Sequence, residues 1–175
     1  MTEKEFFNTI SNGKQDILQI IINLLKEMNI DYCLIGGLAV KAYAEPVVSL
    51  DVDLIIEFAA TDNFLEKVPL KLGAKVERFS HSLNITSSYS DLRIQIQTDS
   101  RYQDFIPRSV NKQVMGYEIK VAAIGDVLQG KVWAYMDTQR RESKRQKDLA
   151  DIFRLVEAYP DLKELLPLII KEKFQ

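Results

Sequence analysis

Residues 50–57 alternate strictly, with Leu50, Val52, Leu54 and Ile56 on one face and Asp51, Asp53, Ile55 and Glu57 on the other. A period of two is the signature of a β-strand, and here one face packs while the other carries carboxylates. Such a strand needs a sheet around it. The flanking segments supply candidates at 31–35, 74–79, 83–86, 92–98 and 117–121, each short, rich in apolar or β-branched residues and bounded by turn formers.

Helical spacing accounts for most of the remainder. Phe6, Phe7 and Ile10, then Ile17, Ile21, Leu24, Leu25 and Met28, mark a short helix and a longer one, interrupted around Ser11, Asn12 and Gly13. Further helices are predicted over 38–44, stopped before Pro46, over 62–72, and over 123–136, 142–158 and 161–173. The expected fold class is therefore α+β: a small mixed sheet flanked by helices, with a helical C-terminal part. No repeat, low-complexity tract or Pro/Gly linker divides the 175 residues. One domain is expected, with N-terminal helices over 1–30, an α/β core over 31–122 and C-terminal helices over 123–175. At this length roughly 70% of the unfolded chain's surface can be buried, so the core needs no disulfide or structural metal.

Composition excludes several chemistries. A single Cys33 and a single His81 cannot build a four-ligand zinc site, and Cys33 has no intramolecular disulfide partner. His81 lies between Ser80 and Ser82 in a polar stretch that reads as a surface turn, which argues against a Ser-His-Asp triad. Any chemistry should then rest on carboxylates and lysines. A net charge of −2 gives no domain-wide footprint for nucleic acid. No apolar run approaches the roughly 18 residues of a membrane span, and the first residues lack an apolar leader core. A cytoplasmic protein with no membrane partner is expected.

The chemistry concentrates in Leu34-Ile35-Gly36-Gly37-Leu38-Ala39-Val40, followed shortly by Asp51-Val52-Asp53-Leu54. Gly36 and Gly37, between a strand and a helix, let the backbone approach a phosphate, and the helix start turns unpaired N–H groups toward it. Asp51 and Asp53 are two apart on one strand, about 7 Å at Cα, so both carboxylates can share divalent ions. Two such ions, about 3.5–4 Å apart, would neutralise a triphosphate and activate an attacking hydroxyl. Ser49 could donate to a phosphate or serve as a turn serine.

This order of strand, Gly-Gly, short helix and Asp-x-Asp resembles the DNA polymerase β-like nucleotidyltransferase superfamily. Further on, Lys131-Val132-Trp133-Ala134, Arg140-Arg141 and Lys147-Asp148-Leu149-Ala150-Asp151-Ile152 are similar to motifs of the AbiEii-like abortive-infection nucleotidyltransferases, typically toxins of two-gene systems. Together the motifs span residues 31–159. The resemblance implies transfer of a nucleoside monophosphate from NTP to a hydroxyl on RNA, protein or a small molecule, with Mg²⁺ or Mn²⁺. In that scheme Gly36, Gly37 and Ser49 hold the nucleotide, Asp51 and Asp53 hold metal, and Lys131 contacts the phosphates. A cognate antitoxin is the implied partner.

Helical geometry weighs these positions independently. Lys131 falls in the middle of the apolar stripe of Ile124, Val127, Leu128, Ala134 and Tyr135, where an ammonium needs an anionic partner or must snorkel to water. Against a stripe of Leu149, Ile152, Phe153 and Val156, Asp148 lies about 90° from the centre and is expected either as a partner of Lys131 or as a catalytic-site residue that orients the acceptor. Asp151 lies nearly opposite that stripe and is expected to pair with Lys147 on a solvated face. Trp133 is expected to pack against the last helices. Arg140, Arg141, Lys144, Arg145 and Lys147 against Glu142 form the strongest charge asymmetry, either a steering surface or a solvated one.

One position departs from the family pattern. Where a third carboxylate belongs, on the strand over 92–98, stands Gln95, whose amide oxygen can ligate but neither neutralises charge nor takes a proton. Three readings stay open. Asp91 or Asp99 substitutes in a different register, the site works with two carboxylates, or the chain is a degenerate module that binds nucleotide or a partner without turnover.

Overall fold

The computed structural model describes residues 1–45 and 48–174; Pro46, offered above as a helix stop, lies outside them. α1 (Glu3–Ile10) opens with a capping box, Thr2 and Glu5 each accepting from the other's backbone N–H. α2 (Ile17–Glu27) buries Ile17, Leu18, Ile21 and Leu25. β1 (Tyr32–Ile35) is buried along its whole length, as a central strand covered on both faces must be. α3 (Gly36–Lys41) follows without a loop, and β2 (Asp51–Ile56) returns antiparallel beside β1.

α4 (Phe58–Leu72) ends at Gly73, whose φ of 54° provides the left-handed cap. β3 (Ala74–Arg78), β4 (Ser82–Ser87) and β5 (Ser90–Gln97) form a meander. A 3-10 segment, Ser100–Arg108, leads to β6 (Val110–Val114) and β7 (Tyr117–Val121). The seven strands form one mixed sheet in the order β3-β4-β5-β2-β1-β7-β6, with β2–β5 and β1–β7 parallel and the other pairs antiparallel. α5 (Ile124–Met136) and α6 (Glu142–Ala158) follow, and one apolar cluster runs from Phe7 to Ile170. The α+β expectation holds, with a mixed sheet flanked by helices.

Three elements differ from the sequence reading. β6 was not expected, because an exposed edge strand of Val-Asn-Lys-Gln-Val has no buried face to impose a period; its partner is fixed by the Met115-Gly116 turn, with φ of 52° and 79°. The 3-10 segment likewise lacks a period of two or 3.6. The single helix expected over 161–173 is broken at Pro167, giving a 3-10 turn at Pro160–Leu165, α7 (Leu168–Lys171) and a final turn at Glu172–Phe174.

Candidate active site

Register sets the site. Asp53 pairs at Cα with Ile35 of β1 on one side and Gln95 of β5 on the other, and Gln95 pairs with Asn84 of β4. One rung of the sheet thus reads Asn84, Gln95, Asp53, Ile35. Two rungs along, on the same face, Asp51 pairs with Arg93, whose Nε donates to Asp51 Oδ1 at 2.6 Å. Asp51, Asp53, Arg93 and Gln95 share the sheet face away from the Val52 and Leu54 core. Asn84 had no assigned role in the sequence; its Oδ1 is buried without a hydrogen bond among the described residues, and only the β4–β5 register brings it beside Gln95.

The two glycines do different work. Gly36 adopts a φ of 73°, and a Cβ there would collide with the Asp53 carboxylate. Gly37 has a normal φ, and its nearest neighbour to an added Cβ would be Ser49 Cβ at 3.9 Å. Ser49 Oγ accepts from the Asp51 backbone N–H at 3.1 Å, so it braces the start of β2 while standing beside Gly37.

α5 and α6 bring the cationic side. Lys131 is only 8% exposed, with Nζ 3.1 Å from Asp148 Oδ1 and 2.8 Å from Asp151 Oδ2. Arg140 Nε donates to the other Asp148 oxygen at 2.7 Å, and Arg154 pairs with the other oxygen of Asp151. The Lys131–Asp148 pairing expected from the helical wheel is present. The expectation for Asp151 is corrected: it is 1% exposed and bound to Lys131, while Lys147 is exposed. Leu149 and Phe153 are only partly buried, so the packed stripe is centred nearer Asp148, Asp151, Ile152 and Leu155 than apolar residues alone indicate. Trp133 packs on the 3-10 segment rather than on the last helices, stacked 5.6 Å from Phe105 and edge-on to Tyr102 at 5.1 Å.

Burial pushes the Asp53 carboxyl up to about 6; the charge of Lys131 opposes that shift, Asp51 adds to it, and Arg140 and Lys144 oppose it. Of the basic stretch, Arg140 lines the cavity at Asp53. Arg145 turns away, donating to the Tyr135 carbonyl at 2.8 Å. Neither alternative third acid enters: Asp91 accepts from Asn12 at one end of β5, and Asp99 pairs with Arg101 at 2.8 Å beyond the other. Among the described residues, no three His, Cys, Asp or Glu side chains gather as a metal centre. Asp51 and Asp53 nonetheless suit Mg²⁺, which binds through one or two carboxylates and keeps its waters. The Asp53 carboxylate gains no hydrogen bond from the described residues, and its raised pKa reflects a charge that burial leaves undercompensated.

Residues 27–175 match the family described as nucleotidyl transferase AbiEii toxin, type IV TA system. The chain belongs to that family. The AbiEii match takes in both carboxylates of β2, both glycines and the α5–α6 charge network. No curated protein matches the sequence. Among solved structures, the fold is similar to ANT(2")-Ia in complex with adenylyl-2"-tobramycin, at 14% identity and a TM-score of 0.65, over 91% of this chain and 97% of that one. It is also similar to the lincomycin-bound lincosamide antibiotic adenylyltransferase LnuA, at 13% identity and a TM-score of 0.56, over 82% and 98% of the two chains. An antigenic nucleotidyltransferase-like protein from Paracoccidioides brasiliensis aligns at 18% identity and a TM-score of 0.51, over 81% and 75%. At these identities the likeness establishes the fold alone. No helix among the described residues is long and apolar enough to cross a membrane.

Proposed function

We propose that this AbiEii family member is a Mg²⁺-dependent nucleotidyltransferase that moves a nucleoside monophosphate from an NTP to an acceptor hydroxyl. The observation that carries this is one cavity lined by Gly36, seated on the Asp53 carboxylate, and by a buried lysine bound to Asp148. The backbone at Gly36 and Gly37 receives the triphosphate, with Ser49 beside it. Asp51 and Asp53 would hold the divalent ion, which when bound neutralises the triphosphate and acidifies the acceptor hydroxyl. Lys131 provides a fixed cation for charge developing on the phosphates, and Asp148 holds that cation in place. Gln95 adjoins the reaction centre as a neutral hydrogen-bonding group.

The acceptor is RNA, protein or a small molecule; two of the structurally similar proteins are named for work on antibiotics. Exposed Arg141, Lys144 and Lys147 favour an anionic acceptor. The family description, a toxin of a type IV TA system, supports a toxin restrained by a cognate antitoxin. A second reading, a degenerate nucleotide-binding or partner-binding module, is favoured by Gln95 where an acid belongs.

Calorimetric titration of each NTP with Mg²⁺, followed by labelled NTP and cell extract, separates the two. Label transferred to a macromolecule or small molecule supports the enzyme and identifies its acceptor; binding without transfer supports the module. Divalent-dependent binding that survives Asp51→Asn with Asp53→Asn would remove the proposed site.

A further inference from the structure

β3 is an edge of the sheet, paired among the described residues only with β4. Just beyond the pair of Arg78 with Leu83, the Phe79 backbone N–H donates to the Ser82 carbonyl at 2.8 Å. Bonded and non-bonded pairs alternate in an antiparallel ladder, so Glu77 and Lys75 are the next residues bonded to β4. The N–H and C=O groups of Val76 and Arg78 therefore turn outward. An edge with outward main-chain groups is a template for a further strand. Lys75 and Glu77 project from one face of this edge, at 77% and 54% exposure, with the half-buried Val76 between them. Phe79, just past the strand, is 55% exposed. At the other end the ring of Tyr89, itself 36% exposed, lies over Gly73, 3.4 Å from where a Cβ would stand.

We infer that β3 is a self-association edge, pairing antiparallel with β3 of a second copy about a two-fold axis at Val76. Main-chain geometry suits this centre, because Val76 faces outward and so forms a bonded pair with its own copy, while Ala74 forms another with Arg78. Charge selects the register. Centred on Val76, each Lys75 stands opposite Glu77 of the second copy, giving two cross-strand ion pairs. A shift of one residue in either direction would set Lys75 against Lys75 or Glu77 against Glu77. The same register brings Phe79 level with Gly73 of the second copy, where the Tyr89 ring lies, so exposed aromatics from the two chains cover one another. The opposite edge, β6, lacks this match: its middle residue is Lys112, and pairing about it faces like charges. β3 lies three strands away from β2, so this edge is separate from the site at Asp53. One strand pair with two aromatic contacts is a small interface, and the dimer is expected to be reversible, with a micromolar dissociation constant.

Charge reversals test the register. Lys75→Glu sets carboxylates opposite carboxylates and Glu77→Lys sets ammonium groups opposite ammonium groups, at exposed positions where neither change should move the thermal midpoint appreciably. Sedimentation equilibrium of the full chain should show wild type passing from one chain to two as concentration rises, and each single variant dimerising at least about tenfold more weakly. Mixed in equal amounts, the two variants should associate as tightly as wild type, because acidic strands then face basic ones. Arg78→Pro removes an outward N–H that β4 does not use, and should weaken the dimer while the fold persists. A wild type that stays monomeric up to its solubility limit would overturn the proposal. So would single variants that dimerise like wild type, or a mixture that gains nothing over its components, since association would then run through another surface or register.

Discussion

Arg93 Nε lies 2.6 Å from Asp51 Oδ1, so one of the two carboxylates on β2 is already engaged by a cation from the neighbouring strand. Both side chains are well exposed, at 64% and 41%, and an exposed pair of this kind contributes at most about 1 kcal/mol. Its effect falls on ligand binding rather than on folding. Arg93→Gln should leave the thermal midpoint nearly unmoved and lower the Mg²⁺ concentration needed for half-maximal NTP binding, because the metal no longer competes for Asp51. A higher Mg²⁺ requirement would mean instead that Arg93 holds Asp51 in its binding rotamer.

The two glycines should separate under mutation. Gly36→Ala forces a non-glycine residue to a φ of 73° and drives its Cβ into Asp53, a combination expected to cost about 1–3 kcal/mol and to displace the carboxylate. Gly37→Ala meets only Ser49 at 3.9 Å and gains helix propensity of up to about 1 kcal/mol. Urea denaturation midpoints for the pair check this; equal destabilisation would contradict the contrast.

Lys131 sits between two carboxylates that are almost fully buried. Lys131→Met removes the shared cation and leaves Asp148 and Asp151 relying on Arg140 and Arg154, which should cost about 3–5 kcal/mol. Asp151→Asn should cost less when combined with Lys131→Met than in wild type, since the pair is coupled. A double-mutant cycle by chemical denaturation measures the coupling, and a value near zero would mean that the two residues touch without depending on each other.

Asp53 makes stability depend on pH. Its carboxyl titrates near 3.8 unfolded and at about 6 folded, so between those values the native state holds more protons than the unfolded one. Stability therefore falls as pH rises through that window, and the loss is complete above about pH 6. At 1.36 kcal/mol per unit the ceiling is about 3 kcal/mol, reduced by the solvent that reaches this partly buried side chain. Asp53→Asn should flatten that part of the profile and stabilise the protein at pH 8, read as denaturation midpoints from pH 4 to 8.

The carboxylate half of the candidate site was legible because strands encode facing directly: a period of two put Asp51 with Asp53 on one face, whereas the level of Gln95 beside Asp53 is a matter of register between β2 and β5 that only the family pattern pointed to. Packing between helices was harder to read. The apolar positions of α6 alone place Asp151 on a solvated face, whereas the buried positions between α5 and α6 include two aspartates neutralised by Lys131, Arg140 and Arg154. A buried polar cluster has no apolar signal of its own. Tyr102 was invisible for another reason: its place is set by contacts with Trp133, far along the chain, on a segment with neither strand nor helix period.

The rung of Asn84, Gln95, Asp53 and Ile35 also limits how such a protein can change over evolutionary time. The residues flanking Gln95, namely Ile94 and Ile96, belong to the core, so inserting or deleting one residue in β5 would exchange an amide for an isoleucine beside Asp53 and bury the amide beneath the sheet. Variation at this position is confined to swapping one side chain for another. An acid and an amide are alternatives that the same backbone can carry, and a lineage can gain or lose that carboxylate by substitution while the scaffold stays as it is.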